Sequence, residues 1–161
     1  MNPKEIIVLG AIQAGIKKFD KIQKITQIEP EELNSILEQL ENTKFIRVVE
    51  KNGLLGKKIE IMITEKGSKE VDNQVHELQT KWNQMSTLYK TQNKEELKQC
   101  MDNNKSFLPM MIFFGVMDMM MFSMMFSMIG MTMSNYVPTE NLPEGEDIGI
   151  DEGEFDTDVE V

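Results

Sequence analysis

The sequence predicts a mainly helical protein of the α+β class, and three features of its pattern lead to this prediction. Up to residue 106, apolar residues mostly recur every three or four positions, as they do in helices that bury one face. Between residues 45 and 63 apolar and charged side chains alternate instead, which is typical of short strands. A methionine-rich apolar run and an acidic end then follow. The chain therefore divides into four predicted regions: 1–67, 68–106, 107–134 and 135–161.

Three short amphipathic helices are predicted first. Pro3 lies in an opening turn, where proline is tolerated, and the first helix should extend to Phe19. Asp20 is expected to cap a second helix, and Pro30 to open a third helix that ends near Asn42. Their apolar faces comprise Ile6, Leu9, Ile12, Ile16, Ile22, Ile25, Leu33, Ile36, Leu37 and Leu40.

Two short strands are predicted after the third helix, at residues 45–50 and 58–63. Both stretches are rich in β-branched residues, and the second alternates isoleucine with lysine, glutamate and methionine. The stretch between them, residues 51–57, contains two glycines. We therefore expect a hairpin with a long, flexible tip.

Two segments, FDKIQKITQIEPEELNSILEQLENTKFIRVVEK (residues 19–51) and ITEKG (63–67), place a helix-turn-helix before the hairpin and a capped helix after it. Over about the first 90 residues this layout resembles the prokaryotic winged helix-turn-helix regulators of the MarR and PadR kind. The resemblance implies a winged-helix domain over 1–67, a homodimer, and double-stranded DNA as a partner. It also implies that Thr64 caps the next helix, as the matching threonine does in those families.

A long helix is predicted from Thr64 toward Tyr89, and a shorter one, capped by Asn93, over residues 94–104. The long helix carries apolar residues at alternating spacings of four and three, the pattern of a coiled-coil seam. These are Val71, Val75, Leu78, Trp82, Met85 and Tyr89. Either this stripe packs on the chain's own domain, or it forms the seam of a homodimer, as in the resembling families. We favour the homodimer, because so long a helix would extend beyond a small domain.

Residues 107–134 form the most apolar stretch of the chain. Eleven of the 15 methionines lie in residues 110–133, and Asp118 is the only ionisable side chain in the run. The run exceeds the roughly 20 residues that cross a bilayer as a helix, so it predicts a transmembrane helix. Its candidate membrane residues are Met110, Phe113, Phe114, Asp118, Phe122 and Phe126. Asp118 counts against insertion, since a central charge costs about 2.5 to 3.5 kcal/mol.

Lysines precede the run and acids follow it, so the N-terminal domain should lie on the cytoplasmic side of the membrane. Three alternatives stay open: a hairpin on the membrane surface, a helix buried in protein, and a methionine surface that takes up apolar ligands. A buried helix would leave the protein cytoplasmic. The start of the chain has no basic region followed by an apolar core, so no signal peptide is expected.

The net charge of -10 is unevenly distributed. Residues 1–106 contain nearly equal numbers of acidic and basic side chains, whereas residues 135–161 contain ten acidic residues and no basic ones. The tail offers too little apolar surface to offset the entropy of ordering, so we expect it to be disordered. A protein partner could bind this acidic tail or the acidic third helix.

Nothing in the sequence predicts an enzyme, a cofactor or a metal site. Cys100 is the single cysteine and His76 the single histidine, so neither a disulfide nor a histidine-rich ligand set can form within the chain. No phosphate-binding glycine loop and no nucleophile motif are present. One cysteine suits a reducing compartment.

The sequence leaves two functions open. The first is a membrane-associated, dimeric, DNA-binding transcriptional regulator, whose candidate DNA-binding residues are Lys17, Lys18, Lys21, Lys24, Asn34, Ser35, Gln39, Lys44, Lys51, Lys57 and Lys58. The second is a membrane-associated adaptor that binds a protein and no DNA. The third helix favours the adaptor, because it carries four glutamates and no cation, where phosphates would require positive charge.

Overall fold

The computed structural model describes residues 1–137, and it has the α+β architecture that the sequence predicts. The predicted disorder of the acidic tail lies, from residue 138 onward, outside the described residues. The elements are α1 (Pro3–Gln13), α2 (Phe19–Thr26), α3 (Pro30–Asn42), β1 (Ile46–Gly53), β2 (Gly56–Ile63), α4 (Glu65–Lys90), α5 (Lys94–Asn103), α6 (Leu108–Phe113) and α7 (Met119–Ile129). Two compact units share α4: the first is Met1–His76, and the second begins at Glu77.

The first unit consists of three helices and an antiparallel hairpin. Helix α1 contacts α2, α3 and β2, and α3 contacts β1. The core is aliphatic and comprises Ile6, Val8, Leu9, Ala11, Ile12, Ile22, Ile28, Leu33, Ile36, Leu37, Leu40, Ile46, Ile61 and Val71. Helix α3 begins at Pro30 and ends at Asn42, as the sequence predicts.

The first helix is shorter than predicted. Helix α1 ends at Gln13, and Gly15 then adopts a φ of 101°, a backbone conformation that glycine reaches without a steric penalty. Helix α2 consequently starts at Phe19, the residue at which the predicted first helix was to end. The predicted cap at Asp20 is also wrong, because Lys18 occupies the cap position and Asp20 lies in the first turn.

The predicted seven-residue hairpin tip is wrong as well. The ladder continues from Ile46 paired with Ile63 to Gly53 paired with Gly56, which leaves a turn of only Leu54 and Leu55. Cross-strand ion pairs extend along this part of the ladder: Lys51 Nζ lies 3.2 Å from Glu60, and Lys57 Nζ lies 4.0 Å from Glu50. Gly56, at a φ of 118°, allows the chain to reverse after two residues.

The segment ITEKG fixes the base of the hairpin to α4. The Thr64 hydroxyl shares its one hydrogen between the carbonyls of Lys44 (2.7 Å) and Phe45 (3.0 Å) and accepts from the Gly67 amide (3.1 Å). Thr64 therefore caps α4, as predicted. Gly67 is buried directly beside the Phe45 carbonyl oxygen, and a Cβ added there would collide with that oxygen. The segment needs a threonine and a glycine at these two positions.

Residues 107–134 do not form the single helix that the sequence predicts. Helix α6 ends at Phe113, the chain turns at Gly115 (φ 66°), and α7 begins at Met119. The Asp118 carboxylate caps α7 by accepting from the amides of Met120 (3.0 Å) and Met121 (3.1 Å). Among residues 1–137, no helix is both long and apolar enough to cross a membrane.

The apolar run instead supplies core side chains. Met110, Phe122 and Phe126 are buried, Phe113 and Phe114 are half-buried, and Asp118 is exposed at its cap position. A row of aromatic contacts crosses the second unit, with ring centroids 6.3 Å apart for Trp82 and Phe122, 4.9 Å for Phe122 and Phe126, and 5.3 Å for Phe126 and Tyr136. Methionine suits such a core because its flexible side chain fills irregular gaps.

The apolar stripe of α4 is largely covered within the single chain. Val71, Leu78, Trp82 and Met85 are buried, while Val75 and Tyr89 are half-buried. A homodimer stays a prediction. One that used this stripe would first have to expose these four side chains.

Gly67→Ala should destabilise the protein by about 1–3 kcal/mol, because the new methyl group overlaps the Phe45 carbonyl and the hairpin base must shift. Urea unfolding followed by circular dichroism measures this change. Lys69→Ala, at an exposed site on the same helix, is the matched control and should stay within about 0.5 kcal/mol of the unmutated protein. Equal stability of both variants would contradict the close approach at Gly67.

Asp118→Ala should destabilise the second unit by about 0.5–2 kcal/mol, whereas Asp118→Asn should be nearly neutral, because asparagine caps as well as aspartate does. Trp82, the only tryptophan, contacts Phe122 of α7 and reports unfolding by its fluorescence. A transmembrane helix predicts the reverse, since removing a central charge by either substitution would stabilise it. A gain in stability for Asp118→Ala would therefore contradict the capping role and favour the transmembrane helix.

Candidate nucleic-acid interface

Four of the predicted DNA-binding lysines lie close together in the chain and are all exposed. Lys17 and Lys18 belong to the connection between α1 and α2, and Lys21 and Lys24 lie about one turn apart on α2. Lys24 is in the last turn of its helix, where a cation interacts favourably with the helix dipole. The sequence therefore places four positive charges within about two turns of backbone.

A backbone hydrogen bond joins this group to the wing, the hairpin formed by β1 and β2. The Ile61 amide of β2 donates to the Lys17 carbonyl at 2.9 Å. Lys57 and Lys58 precede Ile61 by four and three residues on the same strand, which corresponds to about 10–13 Å at 3.3 Å per residue. We call the set Lys17, Lys18, Lys21, Lys24, Lys57 and Lys58 the cationic edge. The spacing of these lysines in the sequence does not reveal that the α1–α2 connection and the wing are joined by a hydrogen bond.

The wing lysines differ in how far their charges are already compensated. Lys51 lies 3.2 Å from Glu60, whose side chain is only 20% exposed, so this lysine is largely engaged. Lys57 is 4.0 Å from the exposed Glu50, and an ion pair of this kind contributes little stability. The ion pairs formed by the described residues do not include Lys58. Lys57 and Lys58 are therefore better placed than Lys51 to contact phosphate.

The exposed side of α3 carries the residues predicted to read bases, and they share it with acids. Asn34, Ser35 and Gln39 are exposed. The Asn34 amide nitrogen donates to the Glu38 carboxylate at 3.3 Å, so Asn34 would have to leave this partner to contact a base. Lys4 of α1 forms an ion pair with Glu32 at 2.8 Å. The main uncompensated negative charges of α3 are therefore the exposed Glu31, Glu38 and Glu41.

Sequence reasoning missed Arg47 and Lys66. Arg47 is the only arginine, and it is exposed on β1 opposite Met62. Its position in a predicted wing strand could have marked it as a phosphate ligand. Lys66 has a structural role: its ammonium donates to the Thr43 carbonyl at the end of α3 (2.8 Å) and lies 4.6 Å from the centre of the Phe45 ring. Lys44 is exposed, as predicted, in a left-handed turn with a φ of 65°.

The second unit contains no visible catalytic arrangement among its described residues. Burial raises the pKa of the Cys100 thiol, partly opposed by a hydrogen bond from Asn104, so the thiolate that acts as a nucleophile is disfavoured. Within residues 1–137, no group of three or more His, Cys, Asp or Glu side chains is placed to hold a metal ion.

No family model, no curated protein and no solved structure matches this chain. The resemblance to MarR and PadR regulators therefore stays a prediction from the residues quoted above.

One titrating pair stands out in the second unit. The hydroxyl of the buried Tyr136 donates to the exposed Asp102 carboxylate at 2.6 Å. Burial, this hydrogen bond and the negative charge of Asp102 raise the pKa of Tyr136 to about 12. The same hydrogen bond, assisted by Lys98 and Lys105, lowers the pKa of Asp102. The pair fastens the end of the described chain to α5.

Tyr136→Phe should destabilise the protein by about 1 kcal/mol near neutral pH, since it removes one partly screened hydrogen bond to a charged group. The raised pKa of Tyr136 means that this stabilisation is present below its unfolded pKa of about 10 and is lost as pH rises toward 12. The lowered pKa of Asp102 means that it is also lost in acid, below about pH 4. Unfolding curves at several pH values measure this window.

Tyr89→Phe provides the control, because it leaves Tyr136 as the only one of the two tyrosines. In this variant, the phenolate absorbance of Tyr136 should appear on raising the pH, with a midpoint at about pH 12. A midpoint near 10 would show that the hydrogen bond to Asp102 does not form in solution.

Proposed function

We propose that the first unit binds double-stranded DNA through its cationic edge and acts as a winged-helix transcriptional regulator. The observation that carries the proposal is the hydrogen bond between Ile61 and Lys17, which sets the lysines of the α1–α2 connection beside the wing strand. In this proposal the two groups of lysines line one surface, along which a phosphate backbone runs. Phosphate contacts of this kind supply essentially all of the non-specific affinity of a protein for DNA and a large share of its specific affinity.

Base recognition in this proposal belongs to α3. Asn34, Ser35 and Gln39 are exposed and offer the amide and hydroxyl groups that read base edges in the major groove. The acids Glu31, Glu38 and Glu41 repel phosphates, so non-specific binding should be weak. Discrimination between sequences would then depend on the three polar side chains.

The proposal includes a homodimer, because a dimer with two-fold symmetry would bind two half-sites on the DNA. It does not rest on membrane insertion of residues 107–134, since Met110, Phe122 and Phe126 are buried in the described chain. Residues outside the apolar stripe of α4 would have to form the dimer contact, unless the second unit rearranges.

The second candidate is a protein-binding adaptor, and the acidic surface of α3 favours it. Glu31, Glu38 and Glu41 are exposed along a helix that has no basic residue. A helix of this charge suits a partner with a basic surface. In that case Asn34 would keep its hydrogen bond to Glu38 and read no base.

Changing Lys57 and Lys58 to alanine should weaken binding to all duplex sequences alike, because phosphate contacts carry no sequence information. The slope of log affinity against log salt should become less steep by about two units per bound chain, since each neutralised phosphate contributes about -0.9. Fluorescence anisotropy of labelled duplexes measures both effects with the full-length protein. Asn34→Ala or Gln39→Ala should instead change the sequence preference.

Lys90 and Lys94, two exposed lysines outside the cationic edge, give the matched control, and their double alanine variant should keep the unmutated slope. Absence of binding at about 50 mM salt, where phosphate contacts are strong, both to random duplex DNA and to the DNA upstream of the protein's own coding sequence, would reject the regulator and leave the adaptor.

A further inference from the structure

The hairpin between β1 and β2 ends in an uncovered apolar tip. Leu54 and Leu55 occupy its two turn positions, and their side chains are 106% and 100% exposed. Behind them on the strands, Ile59 is 59% exposed and Val48 is 43% exposed. Single exposed apolar residues are common on proteins, but two adjacent leucines at full exposure form an apolar end that no described residue covers.

Lysines surround the base of this tip. Lys51 and Lys58 are directly opposite each other in the ladder, and Lys57 is opposite Asn52. Like charges in directly opposed positions repel each other, and Glu60, 3.2 Å from Lys51, offsets part of this repulsion. Residues 51–59 themselves contain no acidic side chain, Lys57 has only a 4.0 Å contact with the exposed Glu50, and the ion pairs of the described residues do not include Lys58. The end of the hairpin therefore combines an apolar point with a cationic collar.

The dimensions of this arrangement match a lipid interface. Leu55 precedes Lys57 by two residues and Leu54 follows Lys51 by three, which separates the tip from the lysines by about 7–10 Å along the strands. The apolar faces of interfacial helices lie about 5–10 Å into the boundary between headgroups and acyl chains. With the leucines at that depth, the lysines lie at the level of the phosphates.

We propose that the hairpin tip inserts into the surface of a bilayer that contains anionic lipids, with Leu54 and Leu55 among the acyl chains and Lys51, Lys57 and Lys58 at the headgroups. A single partner then meets both features, because it is apolar inside and anionic outside. Duplex DNA fits less well: its phosphates attract the lysines, but the tip itself, residues 53–56, has no cation to enter a groove with.

This binding is separate from the proposed contact with DNA, which does not use the leucines. Lys57 and Lys58 belong to both surfaces, so anionic vesicles and duplex DNA compete for the protein. Substitution of the leucines separates the two activities, because both side chains are fully exposed and their loss leaves the fold intact.

The test is co-sedimentation of the full-length protein with phosphatidylcholine vesicles that contain about 30% phosphatidylserine, compared with pure phosphatidylcholine. The protein should bind the anionic vesicles, and Leu54→Ser with Leu55→Ser should weaken that binding roughly 100-fold, about tenfold for each buried leucine. Lys57→Ala with Lys58→Ala should weaken it by roughly 30-fold at low salt and by much less at high salt.

Met120→Ser with Met124→Ser is the matched control, because it removes two exposed apolar side chains from the methionine-rich segment instead. This variant should bind vesicles as the unmutated protein does. A loss of binding here, or unchanged binding by the leucine variant, would overturn the proposal. Absence of binding to the anionic vesicles would also overturn the proposal. If, in addition, the leucine variant no longer bound duplex DNA, the tip would be a wedge that enters a DNA groove.

Discussion

The junction between the hairpin and α4 is the contact on which the described architecture depends. At this point the Thr64 hydroxyl and the Gly67 backbone converge on the carbonyls of Lys44 and Phe45. The same few residues end the turn after α3, close the base of the wing and start the helix that continues into the second unit. Lys66 adds a cation at the negative end of α3. The direction of the wing and the start of α4 are thus set by one hydrogen-bonded contact.

The second unit follows from a break in an apolar segment. Gly115 in a left-handed conformation and the Asp118 cap divide residues 107–134 into helices of six and eleven residues. Both helices are shorter than the roughly 20 residues that a bilayer core needs, and α7 packs against α5. Methionines and phenylalanines therefore become core residues around Trp82. A charge that would be costly inside a membrane has an ordinary capping role here.

The charges of the first unit are segregated in a way that bears on its partners. The cationic edge lies along the α1–α2 connection, α2 and the wing, and the wing also carries Glu50 and Glu60, whereas α3 carries four glutamates and no basic residue. A polyanion would therefore approach the edge of the unit before it approached α3. The apolar tip of the wing adds a second kind of surface next to the same lysines. Both proposed partners, DNA and an anionic bilayer, present phosphates to the lysines. They differ in that only the bilayer has an apolar interior into which the leucine side chains can insert.

The sequence by itself determined the helices and strands wherever local signals agreed. Pro30, the alternating isoleucines and the Thr64 cap are each local, and the structure has the predicted α3, hairpin and start of α4. The same reasoning extended α1 too far, because Ile16 continues the apolar spacing while Gly15, whose left-handed φ ends the helix, carries no apolar signal. The length of the hairpin strands was also predicted too short, because the cross-strand ion pairs that accompany the longer ladder depend on the strand register, which local sequence does not specify.

Tertiary structure alone decided where the apolar residues go and which lysines meet. Composition cannot distinguish a run that crosses a membrane from one that folds into two helices, because both bury the same apolar surface. The difference lies in one turn and one cap. In the same way, Lys17 and Lys57 are 40 residues apart in the sequence, and the hydrogen bond from Ile61 to Lys17 and the packing of α1 on β2 bring their surroundings together. Local patterns specify elements, whereas long-range hydrogen bonds and packing select the arrangement among those the elements allow.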